Sequence, residues 1–420
     1  MIMNFGMAKL RNTVLNNKKI IENYIFITIL QAINSFFYIL IYPYLISTLG
    51  SNGYGTYIYI VSLCGYLVFL INFGLDLPAT KEIAENIENH QKKEKTLSTV
   101  FTIKTFLFFI SFLLIIGIML MFPRIYEIKN YLLIYYLSLY TTILFPQWFF
   151  QGIQNMRLVT YIQVGVKLLS LPFIFIYIKT PNDLLLYVEI ISFSTLLGGI
   201  VAYILVRVKY SLRIKFVSFG SIKTWIEKGK PFFFSNLAAT IKEYSIPIVI
   251  GHYFGMREIA IYDLANKIVT IPRFLFISVN SAIFPKLVVN IDKEKIKKVI
   301  YAESIVSLFA ILIMALIGKY LVDIMGNGTM GEAYYVVMAL SVTILTWLVV
   351  GAYINFVFIL NHKSYIVTYN QVLALISFLL YSLIGLYFYP DIVVFAIAMA
   401  LSGITEILFC LYITRKYKLL

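Results

Sequence analysis

Long apolar stretches constrain this 420-residue chain more than any other feature. They recur from one end to the other, and a membrane-spanning helix needs about 20 such residues. Hydrophobic residues make up 60% of the chain and charged residues only 13%, whereas soluble domains have about 25% charged residues. Such a chain cannot cover its surface with water-facing groups. Soluble enzymes, secreted disulfide frameworks and disordered chains are therefore excluded.

We predict an all-α integral membrane protein with about 12 transmembrane helices. The predicted spans are residues 22–46, 56–78, 100–122, 131–150, 158–178, 184–206, 231–254, 260–285, 299–325, 334–360, 365–388 and 392–414. Alternate loops hold 25 Lys and Arg residues on the side of the termini and 5 on the other side. Because cytoplasmic loops are enriched in Lys and Arg, both termini are predicted to be cytoplasmic. The same enrichment accounts for the formal charge of +15 without a nucleic-acid partner.

The largest loop, residues 207–230, is basic and lies at the middle of the chain. It divides the predicted spans equally. We therefore predict an N-terminal six-helix bundle (1–206), a basic cytoplasmic linker (207–230) and a C-terminal six-helix bundle (231–420).

A short turn sequence occurs once in each half of the chain. At a constant offset of 205, the matching positions are Gly50 with Gly255, Gly55 with Ala260, and Tyr57 with Tyr262. Glycine suits a tight turn, and small residues let two helices approach closely. Six spans per half would orient both halves alike. The repeat predicts two bundles related by a pseudo-two-fold axis along the membrane normal, enclosing a central cavity and working by alternating access.

Polar side chains form stripes on several predicted spans, although polar groups in lipid are costly. In span 260–285 the stripe contains Asp263, Asn266, Lys267, Thr270, Arg273, Asn280 and Ser281. Asp263 and Lys267 are four residues apart, so they are expected to pair. Gln31 and Asn236 belong to stripes on spans one and seven. Such stripes either line a watery path or hold helices together, and the sequence leaves both interpretations open.

Five cations fall inside predicted spans: Lys104, Lys167, Lys242, Lys267 and Arg273. Each costs about 2.5–3.5 kcal/mol at the bilayer centre unless water or a partner relieves it. Lys104 is near a cytoplasmic end, where its side chain is expected to snorkel to water. The deeper cations indicate a wet cavity that attracts an anion. Simple pairing with nearby carboxylates is the other interpretation.

Five segments of the chain, at residues 42–50, 72–84, 145–152, 262–268 and 282–286, carry a further signal. The most particular is 145–152, which reads Phe-Pro-Gln-Trp-Phe-Phe-Gln-Gly. With these segments in this order, the chain resembles the Wzx-type O-antigen and polysaccharide repeat-unit flippases. They form a polysaccharide biosynthesis family of the multidrug/oligosaccharidyl-lipid/polysaccharide exporter superfamily.

The resemblance implies a flippase in the bacterial cytoplasmic (inner) membrane. Its substrate would be an undecaprenyl-pyrophosphate-linked oligosaccharide repeat unit, moved by alternating access for O-antigen or capsule-type polysaccharide. It implies no cofactor and suggests a polysaccharide polymerase complex as a further partner. Substrate-path candidates are Arg273 and Lys267, next to the matched 262–268 segment, then Lys167, Lys242, Asn266, Gln31 and Asn236. Tyr38, Tyr42 and Trp148 could stack on sugars, with an interfacial anchor as the other role for Trp148.

The alternative is a cation-coupled drug or metabolite antiporter of the same superfamily. Its ion-coupling candidates are the carboxylates Asp263, Glu243 and Glu189. An enzyme is not expected, because no nucleophile–base set or phosphate-binding loop is present and the outer loops are short. The scattered histidines and two cysteines indicate neither a metal site nor a disulfide framework.

Overall fold

The computed structural model describes residues 18–215, 217–289, 293–361 and 363–420, and all their side chains except those of 18–21, 24, 219, 274–289 and 364. Some predictions lie outside this part of the chain. They concern the N-terminus and its cations Lys9 and Arg11, and the side chains of Asn280, Ser281 and the matched segment 282–286.

Every regular element in the described ranges is helical, and no strand occurs in them. The all-α class is therefore confirmed. The helices are α1 (Lys18–Asn72), α2 (Asp76–Glu85), α3 (His90–Met121), α4 (Pro123–Glu127), α5 (Lys129–Ser138), α6 (Thr141–Leu144), α7 (Gln147–Gly152), α8 (Met156–Tyr177), α9 (Leu184–Lys209), α10 (Phe219–Tyr253), α11 (Met256–Val289), α12 (Lys293–Met325), α13 (Ala333–Ala352), α14 (Ser364–Phe388) and α15 (Val393–Lys416). A 3₁₀ turn (Pro181–Asp183) precedes α9, and a π-helix (Tyr353–Ile359) follows α13.

Eight helical segments of the described chain are long and apolar enough to cross a membrane. They are Ile25–Asn72, His90–Met121, Met156–Tyr177, Pro181–Lys209, Lys293–Met325, Ala333–Ile359, Tyr365–Phe388 and Val393–Lys416. The chain is thus a multi-pass membrane protein.

The observed helices differ from the twelve predicted spans in two places. Span 22–46 and most of span 56–78 lie in the single element α1, which turns at Gly50, where φ is 70°, and ends at Asn72. Span 131–150 is not one helix but three short ones, α5, α6 and α7. Pro146 precedes α7 and has no N–H to continue a helix. Helices α10 and α11 cover two further predicted spans but carry several charged residues and are not among the eight, so the twelve-span layout stays a prediction.

The chain folds into two compact units. The first unit contains the described residues up to Phe37, together with Leu67–Lys179 and Leu185–Phe234. The second contains Tyr38–Tyr66, Thr180–Leu184 and Ser235–Leu420. The predicted bundles 1–206 and 231–420 and linker 207–230 stay a prediction, since these units also divide the first half of the chain.

In the first unit, the matched segment 145–152 is part of the core. Trp148 is 5% exposed, and the two phenylalanines after it are fully buried. The Thr80 hydroxyl on α2 donates to the Trp148 carbonyl at 3.3 Å. A β-carbon on Gly152 would lie only 2.8 Å from the Ile83 side chain, so glycine is needed for this packing. Neither a sugar-stacking nor an interfacial role fits so buried a Trp148.

In the second unit, the two repeated turns pack against each other. Gly50 and Gly255 both have positive φ, at 70° and 137°. A β-carbon on Gly55 would lie 1.7 Å from the Met256 carbonyl oxygen. These glycines therefore serve as turn and close-approach residues, as predicted. The Tyr42 hydroxyl donates to the Ala260 carbonyl at 2.8 Å, and full burial removes Tyr42 from the predicted sugar-stacking role.

Candidate functional site

Helix α11 carries a charged cluster that belongs to the second unit. Asp263 Oδ1 lies 3.8 Å from Lys267 Nζ, so the predicted pair is confirmed. Tyr54 lies in the part of α1 that follows Gly50, and its hydroxyl donates a hydrogen bond of 3.2 Å to Asp263 Oδ2. Lys267 Nζ also lies 4.2 Å from the centre of the Tyr38 ring, which is a cation–π contact. The charge of Lys267 is therefore balanced by a carboxylate and an aromatic face.

Arg273, farther along α11, has a different environment. Its guanidinium donates to the hydroxyl of Thr343 on α13. Its Nε is buried and has no hydrogen-bond partner among the described residues. A buried donor without a partner costs about 1–3 kcal/mol. Within the described chain, Arg273 is in no ion pair, so no carboxylate there neutralises its positive charge.

Lys242 on α10 is part of a second buried network. Its Nζ lies 3.3 Å from Glu406 Oε1 on α15. The other oxygen, Oε2, accepts a hydrogen bond of 2.9 Å from the amide of Asn370 on α14. Residues of two helices, α10 and α14, thus hold the carboxylate of a third, α15, at both of its oxygens.

The other candidates on α10 and α11 are less constrained. Asn266 is half-buried, and its backbone carbonyl accepts a hydrogen bond from Thr270 at 2.6 Å. Asn236 and Glu243 are exposed. Glu243 is near enough to Lys267 for a favourable electrostatic interaction. None of the three makes a side-chain hydrogen bond within the described part of the chain.

Three candidates lie in the first unit. Lys167 Nζ is 4.3 Å from the centre of the Phe37 ring. Gln31 is half-buried, and its backbone carbonyl accepts from Ser35 at 3.1 Å. Glu189 is exposed on α9. For Gln31 and Glu189 the described residues provide no side-chain hydrogen bond or ion pair.

Lys104 of the first unit contradicts the sequence prediction. Its side chain is 3% exposed and does not snorkel. Its Nζ lies 2.6 Å from Asp76 Oδ1 and 2.8 Å from Asn72 Oδ1. Both partners belong to the matched segment 72–84, so part of that segment serves to neutralise a buried cation.

Sequence reasoning missed several residues of these clusters. Asn370 and Glu406 lie inside predicted spans 365–388 and 392–414, where an amide or a carboxylate is costly, and that cost was a usable signal. Tyr54 and Thr343 gave no signal, because both residue types are common in membrane helices. As for metals, no group of three His, Cys, Asp or Glu side chains in the described ranges could hold an ion.

Comparison with known proteins independently supports the resemblance to polysaccharide flippases. A model of the family described as "Polysaccharide biosynthesis protein" matches residues 20–289. An Escherichia coli K12 protein named "Putative O-antigen transporter" is 22% identical over 285 residues, 68% of this chain and 69% of that protein. A Shigella dysenteriae protein of the same name is 25% identical over 268 residues, 63% of this chain and 67% of that protein.

Two solved structures have the same fold. A lipid II flippase MurJ in an inward closed conformation has a TM-score of 0.72 at 13% identity, covering 92% of this chain and 87% of that one. An inward-facing multidrug resistance transporter of the MATE family has a TM-score of 0.68 at 14% identity, covering 91% and 95%. Because the family model matches well over half of the chain, this protein belongs to the polysaccharide biosynthesis protein family, and the resemblance to Wzx-type polysaccharide flippases is confirmed.

Proposed function

We propose that this protein is a flippase for undecaprenyl-pyrophosphate-linked oligosaccharide repeat units, working by alternating access. The repeat units that it translocates would be used to build O-antigen or a capsule-type surface polysaccharide. The observation that carries the proposal is Arg273, a half-buried arginine that has an unpartnered Nε and no carboxylate partner among the described residues. Membership of the polysaccharide biosynthesis family and the names of the two bacterial relatives support the same substrate class.

The chemistry of the substrate explains why such a cation is needed. A pyrophosphate group cannot cross hydrocarbon unaided, because an ionised group loses its hydration there. The polyprenyl tail can stay in lipid while the charged head follows a polar path. Arginine offers a planar set of donors that matches phosphate oxygens, and its charge is permanent. Arg273 would be the main contact, with Lys267, Lys242 and Lys167 assisting after partial release from their present partners.

The proposed layout is the one predicted from the sequence. It has twelve spans in two six-helix bundles, both termini in the cytoplasm, and a location in the bacterial cytoplasmic membrane. The loop asymmetry of 25 basic residues against 5 supports this orientation. The proposed role is non-enzymatic and uses no cofactor, and the partners are membrane lipid, the lipid-linked sugar and a polysaccharide polymerase complex.

The test is complementation of a strain from which the chromosomal gene has been deleted. Arg273→Ala should abolish surface polysaccharide and cause lipid-linked repeat units to accumulate, while the amount of protein in the membrane is unchanged. Arg273→Lys keeps the charge without the planar donors and should restore only part of the activity. The matched control is Arg257→Ala, which removes a partly exposed arginine paired with Glu332 at 2.9 Å. Normal polysaccharide from Arg273→Ala would refute the proposed role.

A cation-coupled drug or metabolite antiporter is the second candidate. The observation in its favour is Asp263, a buried carboxylate in a fold shared with multidrug transporters. Asp263→Asn should then abolish drug resistance conferred on a sensitive host. The flippase proposal expects no resistance from the unmodified protein. It also expects polysaccharide to persist in Asp263→Asn, because Lys267 keeps its charge.

A further inference from the structure

The Lys242–Glu406–Asn370 network has an inner end and an outer end. Asn370 is fully buried, the Glu406 side chain is 10% exposed and the Lys242 side chain is 17% exposed. Glu406 is held by Asn370 at 2.9 Å and by Lys242 at 3.3 Å. If Lys242 moved away, the carboxylate would keep its hydrogen bond to Asn370. Lys242 is therefore the exchangeable member of the network.

A contribution to protein stability does not explain why Lys242 and Glu406 form a buried ion pair. Burying two charges costs several kcal/mol per ion, roughly offset by their attraction. Replacing a buried pair by apolar side chains of similar size is often neutral or stabilising. Opening such a pair leaves an uncompensated buried charge, which is strongly destabilising, so the pair opens only when an incoming anion takes over Lys242, its less buried partner.

Resting on the proposed function, we propose that Glu406 is the resting counter-ion of Lys242, and that the anionic head of the transported lipid displaces it. A pyrophosphate carries more negative charge than one carboxylate, so it can compete for the lysine at the same distance. While the substrate is bound, Asn370 keeps Glu406 in place. On release of the substrate, Glu406 recaptures Lys242.

This exchange gives Glu406 a defined role in turnover. A second cation without a counter-ion, in addition to Arg273, would tighten the binding of pyrophosphate further, and slow dissociation would then limit each cycle. An internal carboxylate weakens substrate binding because it competes for the same ammonium group. Glu406 is thus a positioning residue that sets the affinity for anions, and Lys242 is the group that contacts the substrate.

Binding of undecaprenyl pyrophosphate to the full-length protein in lipid nanodiscs tests the exchange. Glu406→Gln keeps the shape of the side chain and an oxygen that can accept from Asn370, but it removes the negative charge. It should tighten the binding of undecaprenyl pyrophosphate about ten-fold and lower the amount of surface polysaccharide. Lys242→Gln should weaken binding by a similar factor. The double variant Lys242→Gln/Glu406→Gln should bind like Lys242→Gln alone, because the competition needs the lysine. Equal effects of Glu406→Gln with and without Lys242 would overturn the proposal.

A second variant separates this role from a structural one. Lys242→Met/Glu406→Gln removes both charges but keeps an amide oxygen that accepts from Asn370, so it should fold with little change in melting temperature. Export should nevertheless be lost, and full export from this variant would overturn the exchange. If the unmodified protein does not bind undecaprenyl pyrophosphate, the proposed function itself fails. If it binds but Glu406→Gln leaves the affinity unchanged, only the exchange fails.

Discussion

Lys104 Nζ lies 2.6 Å from Asp76 Oδ1, which joins α3 to the start of α2 inside the first unit. The lysine is 3% exposed, while the carboxylate keeps 48% of its surface in contact with the surroundings. The buried ammonium group of Lys104 therefore depends on the half-exposed carboxylate of Asp76 for its counter-charge. Asn72 adds a second, neutral acceptor at 2.8 Å.

Asp76→Asn should destabilise the first unit because it leaves a buried ammonium without a counter-charge. Breaking a fully buried pair costs about 3–5 kcal/mol, and the exposure of Asp76 and the contact with Asn72 reduce this to about 1–3 kcal/mol. The melting temperature in detergent measures the effect. Lys81→Gln is the matched control, since its pair with Glu85 is exposed on both sides and its loss should be undetectable. Recovery of stability in Asp76→Asn/Lys104→Met would confirm the cause.

Gly55→Ala should disrupt the packing of the repeated turns in the second unit. The new β-carbon would lie 1.7 Å from the Met256 carbonyl oxygen, and backbone cannot move aside as a side-chain tip can. Overpacking usually costs about 1–3 kcal/mol, and this clash belongs at the upper end.

Gly117→Ala is the control for that substitution. It lies within a helix, and nothing is within 4 Å of its added methyl group. It should leave the melting temperature unchanged or raise it slightly, because alanine favours helix more than glycine does. Equal melting temperatures for Gly55→Ala and Gly117→Ala would contradict the close approach of the turns.

Local relationships could be predicted from the sequence, and relationships between distant segments could not. The Asp263–Lys267 pair follows from the four-residue spacing of one helix, and the turn roles of Gly50 and Gly255 follow from backbone freedom. The contact between Lys242 and Glu406 joins residues 164 apart in sequence, and a single sequence has no signal for which lysine meets which carboxylate.

The errors also have physical causes. Lys104 was placed near a span end because the span was predicted to begin at residue 100, whereas α3 begins at His90. That difference puts Lys104 about 21 Å along the helix, where Asn72 of α1 and Asp76 of α2 bind its ammonium group, contacts that the sequence does not reveal. The predicted helix over 131–150 failed because hydropathy registers apolar content but not the break at Pro146.

Loss of Lys267 should impair export less than loss of Arg273. Lys267 lies 3.8 Å from Asp263 and 4.2 Å from the Tyr38 ring, so much of its attraction for an anion is already satisfied. Arg273 has no such counter-charge within the described residues. Surface polysaccharide from Lys267→Met and Arg273→Met, at equal protein levels, measures the order. The reverse order would mean that Lys267 leaves Asp263 readily and is the main anion contact.

Substitution of Trp148 distinguishes a packing role from a substrate role. Trp148 is in the first unit's core, with its ring at 90° to that of Phe149. Trp148→Leu should lower the melting temperature, because large-to-small changes at buried aromatics cost about 3–5 kcal/mol for alanine and less for leucine. Export per folded molecule should stay at the level of the unmodified protein. A fall in that ratio without a change in melting temperature would restore the sugar-stacking role that the burial of Trp148 argues against.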